Sequence, residues 1–311
     1  MILVTGGTGF IGTNLIKRLI RDDDVCCIDN ELVYPYHNLE TLYNCDGING
    51  HRFFFDKRDV CDLKDIKFGF EQLYHLACPA SPVLYKKHPL EVLRTCTEGM
   101  FNLIDLCESH NAKLLYTSTS EVYGDAKVAV QSESYWGNVN PIGERSCYDE
   151  GKRCGESILI NSNIDFSIAR IFNTYGPHMY SGDGRVVSEF IKAAMYNRPL
   201  VINGNGSQTR SFCYVDDTVD GLIKLMNTPY KKPINIGNPN YCVTINRLAK
   251  KIIKITGSDS YIQLAAKSPD DPYRRKPDIT LARDILQWEP EVSLDDGLRL
   301  TYIYYLANLK K

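Results

Sequence analysis

Residues 4–12 read VTGGTGFIG. An apolar run, Ile2 to Val4, precedes the glycines, and a helical pattern from Phe10 to Arg21 follows them. Gly6, Gly9 and Gly12 thus stand at three-residue spacing between a predicted strand and a predicted helix. Glycine allows the tight turn and the close approach of a pyrophosphate to the backbone. The N–H groups near Phe10 and Ile11 point at such an anion from the helix N-terminus. Asp29 ends the next predicted strand, roughly 20 residues on. An acid there accepts both adenosine ribose hydroxyls and repels a 2′-phosphate, which favours NAD over NADP. A glycine-rich turn alone is weak evidence; the strand before it, the helix after it and Asp29 carry the reading.

Short apolar runs continue outward from this turn. Val25 to Ile28, Arg52 to Phe55, Leu73 to Ala77 and Lys113 to Tyr116 read as strands, with a second helical pattern from Pro89 to Ser109. Strand–helix alternation predicts an α/β fold, a Rossmann-type doubly wound parallel sheet covered on both faces. After Arg170 glycine and proline punctuate more often. Short strands at Leu200 to Ile202 and Tyr261 to Leu264 flank a helix at Thr244 to Ile255. This predicts a smaller α/β lobe. The expected division is 1–175 for the NAD-binding domain, with segments near 211–240 and 270–285 returning to it. The smaller lobe takes 176–210, 241–269 and 286–311.

Composition excludes several classes. The formal charge is −2, from 36 basic and 38 acidic residues, and no basic block argues for nucleic acid or an anionic membrane. Eleven cysteines are scattered, odd in number and without a Cys-x-x-Cys. Neither a metal site nor a disulfide framework is expected; reduced thiols in the cytoplasm are. Met1 opens directly into the first strand, so no signal peptide is expected, and no apolar run is long enough to span a bilayer.

Two further stretches bear on chemistry. YTSTSEVYGD, residues 116–125, looks like a buried strand ending in four small hydroxyl residues and then Glu121. A carboxylate at the mouth of a buried sheet is costly unless it has a partner or a task. YDEGK places Tyr148 and Lys152 at i and i+4, on one helix face. The ammonium and a positive nicotinamide ring are expected to lower the tyrosine pKa and make the phenolate a base. In the helix at Pro89 to Ser109, Leu93, Cys96, Met100, Leu103 and Cys107 form an apolar seam. A helix buried within one subunit and a helix at a subunit interface fit that pattern equally.

The Gly-x-x-Gly-x-x-Gly turn together with Tyr-x-x-x-Lys resembles the extended short-chain dehydrogenase/reductase superfamily. Longer stretches are more specific: YHLACPASP, STSEVYG, YWGNVNPIGERSCYDEGKR, ARIFNTYGP, DGRVVSEFI, GNGSQTRSFCYVDDTVDGL and DDPYRRKPDI. These resemble the UDP-glucuronate decarboxylase (UDP-xylose synthase) family over nearly the whole chain. Cys96 stands where many relatives have Asn, Met100 where they have Thr, and the segment from Glu156 to Asp165 is shorter. Membrane-anchored relatives carry an N-terminal extension ahead of the position where this chain starts.

The resemblance implies roles. Tyr148 abstracts the C4 hydroxyl proton, with Lys152 and Thr119 beside it. NAD accepts the C4 hydride. The resulting β-keto acid loses carbon dioxide, C5 is protonated, and the hydride returns to C4. Ser120, Glu121 and Arg275 stand near the sugar carboxylate. Glu121 positions a water, relays the C5 proton or disfavours the charged ground state; the sequence leaves these open. Asn30, Asp59, Val60, Leu76, Ala77, Thr95 and Thr174 join Gly6, Gly9, Phe10, Ile11, Gly12, Asp29, Tyr148 and Lys152 around NAD. Tyr85, Asn173, Arg185, Val201, Asn203, Arg210 and Tyr214 join Glu121 and Arg275 around UDP-glucuronate. Relatives pair two helices with their symmetry mates as a four-helix bundle, which implies a homodimer on Pro89 to Ser109 and Cys147 to Ile160. The nearest rivals are nucleotide-sugar 4,6-dehydratases, which typically carry an Asp at the Ser120 position, and 4-epimerases. A noncatalytic NAD-binding protein is a third reading, opposed by the intact Tyr148, Lys152, Thr119 and Glu121.

Overall fold

The computed structural model describes residues 1–33, 37–266 and 273–309. Asp270, Asp271 and Pro272 of the DDPYRRKPDI stretch lie outside the described residues, as do 267–269, 310 and 311 of the expected smaller lobe. The strands, in chain order, are β1 (Ile2–Thr5), β2 (Val25–Ile28), β3 (Phe53–Asp56), β4 (Gln72–His75), β5 (Lys113–Thr119), β6 (Phe166–Ile171) and β7 (Thr174–Tyr175). They continue as β8 (Leu200–Asn203), β9 (Thr209–Ser211), β10 (Cys213–Tyr214), β11 (Pro233–Ile236), β12 (Cys242–Thr244), β13 (Ile262–Ala265) and β14 (Arg274–Arg275). The helices are α1 (Phe10–Leu19), α2 (His37–Tyr43), α3 (Pro82–Lys87), α4 (Pro89–Cys96), α5 (Glu98–His110) and α6 (Ser146–Ile160). Then come α7 (Val186–Met195), α8 (Val215–Met226), α9 (Ile245–Thr256), α10 (Thr280–Leu286) and α11 (Leu294–Leu309).

A seven-stranded sheet runs β11-β6-β5-β4-β1-β2-β3, with every pairing parallel. Its strands are apolar on both faces because both faces are covered. Val4 and Leu115 belong to a core shared with α1 and α8. Their neighbours Leu3 and Leu114 belong to a second core, with Met100 and Leu103 of α5 and Leu159 of α6. Strand order reverses between β1 and β4, so the chain leaves a crevice beyond their carboxyl ends, where ligands of such sheets bind. Short strands pair as β12-β9-β14 and as β13-β8, with α7 and α9 packed on β8 and α11 packed on α7 and α9. β14 pairs with β9 in a register that sets Arg275 beside Arg210.

The expected helix from Pro89 to Ser109 is two helices. Thr97 separates them with φ −117° and ψ −76°. Its hydroxyl donates back to the Leu93 carbonyl at 2.8 Å, the kind of local bond that competes with regular helix and bends it. The seam divides accordingly. Met100, Leu103 and Cys107 are fully buried against the chain's own sheet, and Cys96 closes against α6. Four of the five seam residues are therefore buried within the subunit, while Leu93 is half-buried.

Candidate active site

The turn after β1 brings the two strands at the switch point into backbone contact. Gly6 has φ +72°, and a Cβ there would stand 2.5 Å from the Ala77 nitrogen. A Cβ on Gly12 would lie 2.4 Å from the Gly6 carbonyl oxygen. The glycines thus form a cradle that any side chain would fill, at the N-terminus of α1. At the end of β2, Asp29 Oδ2 accepts from the Thr8 N–H at 3.1 Å and Oδ1 from the Glu31 N–H at 2.8 Å. Burial raises its pKa. Each carboxylate oxygen keeps acceptor capacity for a further donor. Asn30 donates to Asp59 at 2.7 Å on the same rim. This donor and acceptor set fits an NAD molecule laid over the turn.

A cavity of about 890 Å³ extends from this cradle. It is bordered by Gly6, Gly9, Phe10, Ile11, Gly12, Asp29, Asn30, Asp59, Val60, Leu76, Ala77, Thr95 and Thr174 at the nucleotide end. Thr119, Ser120, Glu121, Tyr148 and Lys152 border it in the middle. Tyr85, Asn173, Arg185, Val201, Asn203 and Arg210 border it toward the smaller lobe. Two expected residues are placed elsewhere. Tyr214 is buried in the core, its ring 5.8 Å from that of Tyr175. Arg275 is 1% exposed and lies behind Glu121 rather than on the cavity wall.

The middle of the cavity is built where β5 meets α6. Thr119 accepts from the Glu121 N–H at 3.2 Å, which starts a 3₁₀ turn, Ser120–Tyr123. The turn carries Glu121 off the sheet and to the cavity. On α6, Gly155 lets the helix approach: a Cβ there would stand 2.5 Å from the Tyr116 hydroxyl. Glu156 anchors the same helix through Arg170, which donates Nε at 2.9 Å and Nη2 at 2.7 Å to its two oxygens. Tyr148 is thereby held with its ring stacked on Tyr85, centroids 5.4 Å apart and planes 13° apart. Lys152 donates to the Thr117 carbonyl at 2.8 Å and lies 4.7 Å from the Tyr116 ring centroid.

The expected lowering of the Tyr148 pKa is reversed in the protein alone. Burial raises the phenol well above its ordinary value, Cys78 adds to the rise, and a hydrogen bond with Thr119 pulls the other way. Lys152 is committed to the Thr117 carbonyl, so what the sequence spacing supplies is a positioned ammonium and not a direct ion pair. Glu121 behaves in the opposite sense. Burial alone would raise its carboxyl, yet Arg275, Arg145 and Arg210 outweigh burial and bring it down to about 2.

Arg145 is a residue that the sequence reading did not single out. It stands at the N-cap position of α6 without a side-chain capping bond, borders the cavity and pairs with Glu121. Its signal was its place in GERSCY, three residues before Tyr148 and so on the same helix face. Asp149 was also missed. It is 7% exposed, 3.7 Å from Arg145, and pushed up to about 7 by burial and by the charge of Glu121.

Residues 2–237 match the family described as the NAD dependent epimerase/dehydratase family. The chain is 46% identical over 306 residues to UDP-glucuronic acid decarboxylase 6 of Arabidopsis thaliana, covering 96% of this chain and 87% of that one. It is 43% identical over 314 residues to UDP-glucuronic acid decarboxylase 1 of Xenopus tropicalis, covering 99% and 73%. Among solved structures, the UDP-glucuronic acid 4-epimerase of Bacillus cereus in complex with UDP-glucuronic acid and NAD matches with a TM-score of 0.85 at 29% identity, over 98% of this chain and 99% of that one. The UDP-glucose 4-epimerase of Thermotoga maritima matches with a TM-score of 0.89 at 28% identity, over 99% of both chains. The chain belongs to the NAD dependent epimerase/dehydratase family, and its fold is that of an extended short-chain dehydrogenase/reductase.

Proposed function

We propose that this chain is an NAD-dependent UDP-glucuronate decarboxylase that makes UDP-xylose through a 4-keto sugar. The observation that carries the reading is the pairing of Tyr148, Thr119 and Lys152 with a cationic corner around Glu121 in one cavity. The names of the relatives at 43–46% identity support the same reaction.

Bound over the glycine cradle, NAD supplies a reversible acceptor for the hydride of the sugar's C4. Burial alone keeps the Tyr148 phenol protonated. With the positive nicotinamide ring and Lys152 offsetting burial, Tyr148 takes the C4 hydroxyl proton, its ring aligned by stacking on Tyr85. Once C4 is a ketone it lies β to the C6 carboxylate. The C5–C6 bond then breaks, carbon dioxide leaves, and the electron pair delocalises onto the C4 oxygen. Thr119 and Tyr148 hydrogen-bond that oxygen as charge develops on it. Glu121, held near 2, is fully ionised at neutral pH. In that state it positions a water, relays a proton from water to C5, or repels the charged ground state. Once C5 is protonated the hydride returns to C4 and Tyr148 gives its proton back to the C4 oxygen. Ser120 has no carboxyl group, so the acid that a 4,6-dehydratase needs for a departing hydroxyl is missing there.

Incubation with UDP-glucuronate and mass detection of the product tests this reading. A UDP-pentose supports it. A 4-epimerised UDP-hexuronate supports the runner-up, and an unchanged substrate with bound NAD supports a noncatalytic binder.

The homodimer belongs to the same proposal, with a changed surface. Leu90 (65% exposed) and Phe101 (56%) project outward from α4 and α5, and Ile160 (51%) from the end of α6. These, with the half-buried Leu93 and not the fully buried part of the seam, are the apolar side chains of α4 to α6 available to a symmetry mate. A cytoplasmic location is supported by the eleven free thiols, Cys154 among them exposed. Among the described residues no helix is long and apolar enough to cross a membrane.

A further inference from the structure

Glu121 is gripped from two sides by guanidinium groups with different freedom. Arg275 donates Nη2 to Glu121 Oε2 at 2.8 Å and Nη1 to the Gly124 carbonyl at 2.7 Å. It is 1% exposed and does not border the cavity. Moving it toward a ligand would abandon both bonds and leave buried groups unpaired. Arg145 donates to the same Oε2 from the cavity side.

The position of Arg145 suits a second carboxylate. It lies three residues before Tyr148, so both side chains leave one face at the start of α6. Its Cζ stands 6.0 Å from the Tyr85 ring centroid, and Tyr85 stacks on Tyr148. In a hexuronate the C6 carboxylate is two bonds from C4. The group that handles the C4 hydroxyl and the group that binds C6 must therefore be near neighbours, as Tyr148 and Arg145 are. The local charge also permits it. Arg145 and Arg275 face one fully ionised carboxylate, Glu121, while Asp149 is pushed up to about 7 by burial and by Glu121 and only partly offsets them near neutrality.

We propose that Arg145, and not Arg275, reads the C6 carboxylate of the substrate. Its guanidinium turns from Glu121 to the sugar acid in a bidentate grip, while Arg275 keeps Glu121 in place. Arg145 is thus a specificity-determining residue. A neutral hexose, with a hydroxymethyl group at C6, gives it nothing to exchange for Glu121. The inference rests on the decarboxylase reading above.

Equilibrium binding to NAD-loaded protein tests it. A Tyr148→Phe background prevents turnover, so UDP-glucuronate and UDP-glucose can both be titrated intact. With Arg145→Gln added, the affinity ratio of UDP-glucuronate to UDP-glucose should fall roughly tenfold or more, as expected for losing a hydrogen-bonded charge partner. The affinity for UDP-glucose should stay within about twofold, because the nucleotide contacts are untouched. Arg145→Lys keeps the charge without the fork and should retain an intermediate ratio. If Arg145→Gln fails to fold, the Arg145→Lys ratio decides alone. An unchanged ratio, or an equal loss for both ligands, overturns the assignment. Carbon dioxide release by the wild-type protein is measured separately: its absence defeats the decarboxylase reading, whereas normal release with an unchanged ratio defeats only the role of Arg145.

Discussion

Arg275 and Glu121 form an ion pair, 2.8 Å between Nη2 and Oε2, in which the arginine is sealed from solvent and the carboxylate faces the cavity. Glu121→Gln removes the only full charge in that contact's acceptor and leaves a buried guanidinium without its counterion, at a cost of about 3–5 kcal/mol in comparable cases. Melting temperature should fall. In protein that remains folded, substrate-dependent NADH absorbance should still appear, while pentose formation drops roughly tenfold or more. Full activity in Glu121→Gln would make Glu121 an ion-paired rim residue and nothing more.

Asp29 should set the choice of cofactor. Its oxygens are fixed by the Thr8 and Glu31 N–H groups at the end of β2. Asp29→Ala should weaken NAD about tenfold or more and narrow the preference over NADP. Purified wild-type protein should carry NAD, because the hydride returns to the same sugar. An unchanged NAD/NADP preference in the variant would contradict the assigned role.

Met100 and Phe101 are adjacent in sequence and opposite in environment, 0% and 56% exposed. Met100→Lys places an ammonium in the core beneath the sheet and should unfold or severely destabilise the subunit. Phe101→Lys should leave the melting temperature of the subunit nearly intact and shift dimers to monomers. Light scattering and thermal melts together read both outcomes. A native-like Met100→Lys, or a Phe101→Lys protein that remains fully dimeric, would overturn this placement.

His75 offers a pH test of the core. It is 1% exposed, hydrogen-bonded to Thr5 at 2.8 Å, and held down to about 3 by burial and then by the charge of Lys152. In the unfolded chain an imidazole titrates near 6.5, so between these values the unfolded state binds more protons. The stability contributed is fully present above about 6.5 and is lost as pH falls toward 3. Between pH 7 and pH 4.5 the wild-type melting temperature should fall further than that of His75→Gln, by roughly 4 °C or more. Parallel curves would remove the linkage.

Much of this was legible in the amino-acid order. The glycine turn, the strands at Ile2, Val25 and Lys113, and the helix beginning at Thr244 follow from local patterns of burial and backbone freedom. Tyr148 and Lys152 share a face because helix periodicity puts them there. Three features were not legible: one turns on a local choice of hydrogen bond, and two depend on contacts distant in sequence. The break at Thr97 depends on a hydroxyl turning back to Leu93. The burial of Met100 and Cys107 depends on how much sheet lies beneath α5. The cationic corner assembles Glu121, Arg145 and Arg275 from segments up to 154 residues apart, and charge spacing along the chain carries no trace of that meeting.

The most direct test is product analysis in deuterated water. NAD-loaded protein is given UDP-glucuronate carrying a carbon label at C6, and labelled carbon dioxide and the nucleotide sugar are followed together. The expected result is one carbon dioxide per UDP-xylose, one solvent deuterium at C5, and no net accumulation of NADH. Retention of the label in a UDP-hexuronate, with no carbon dioxide released, would contradict the decarboxylase reading and leave C4 epimerisation in its place.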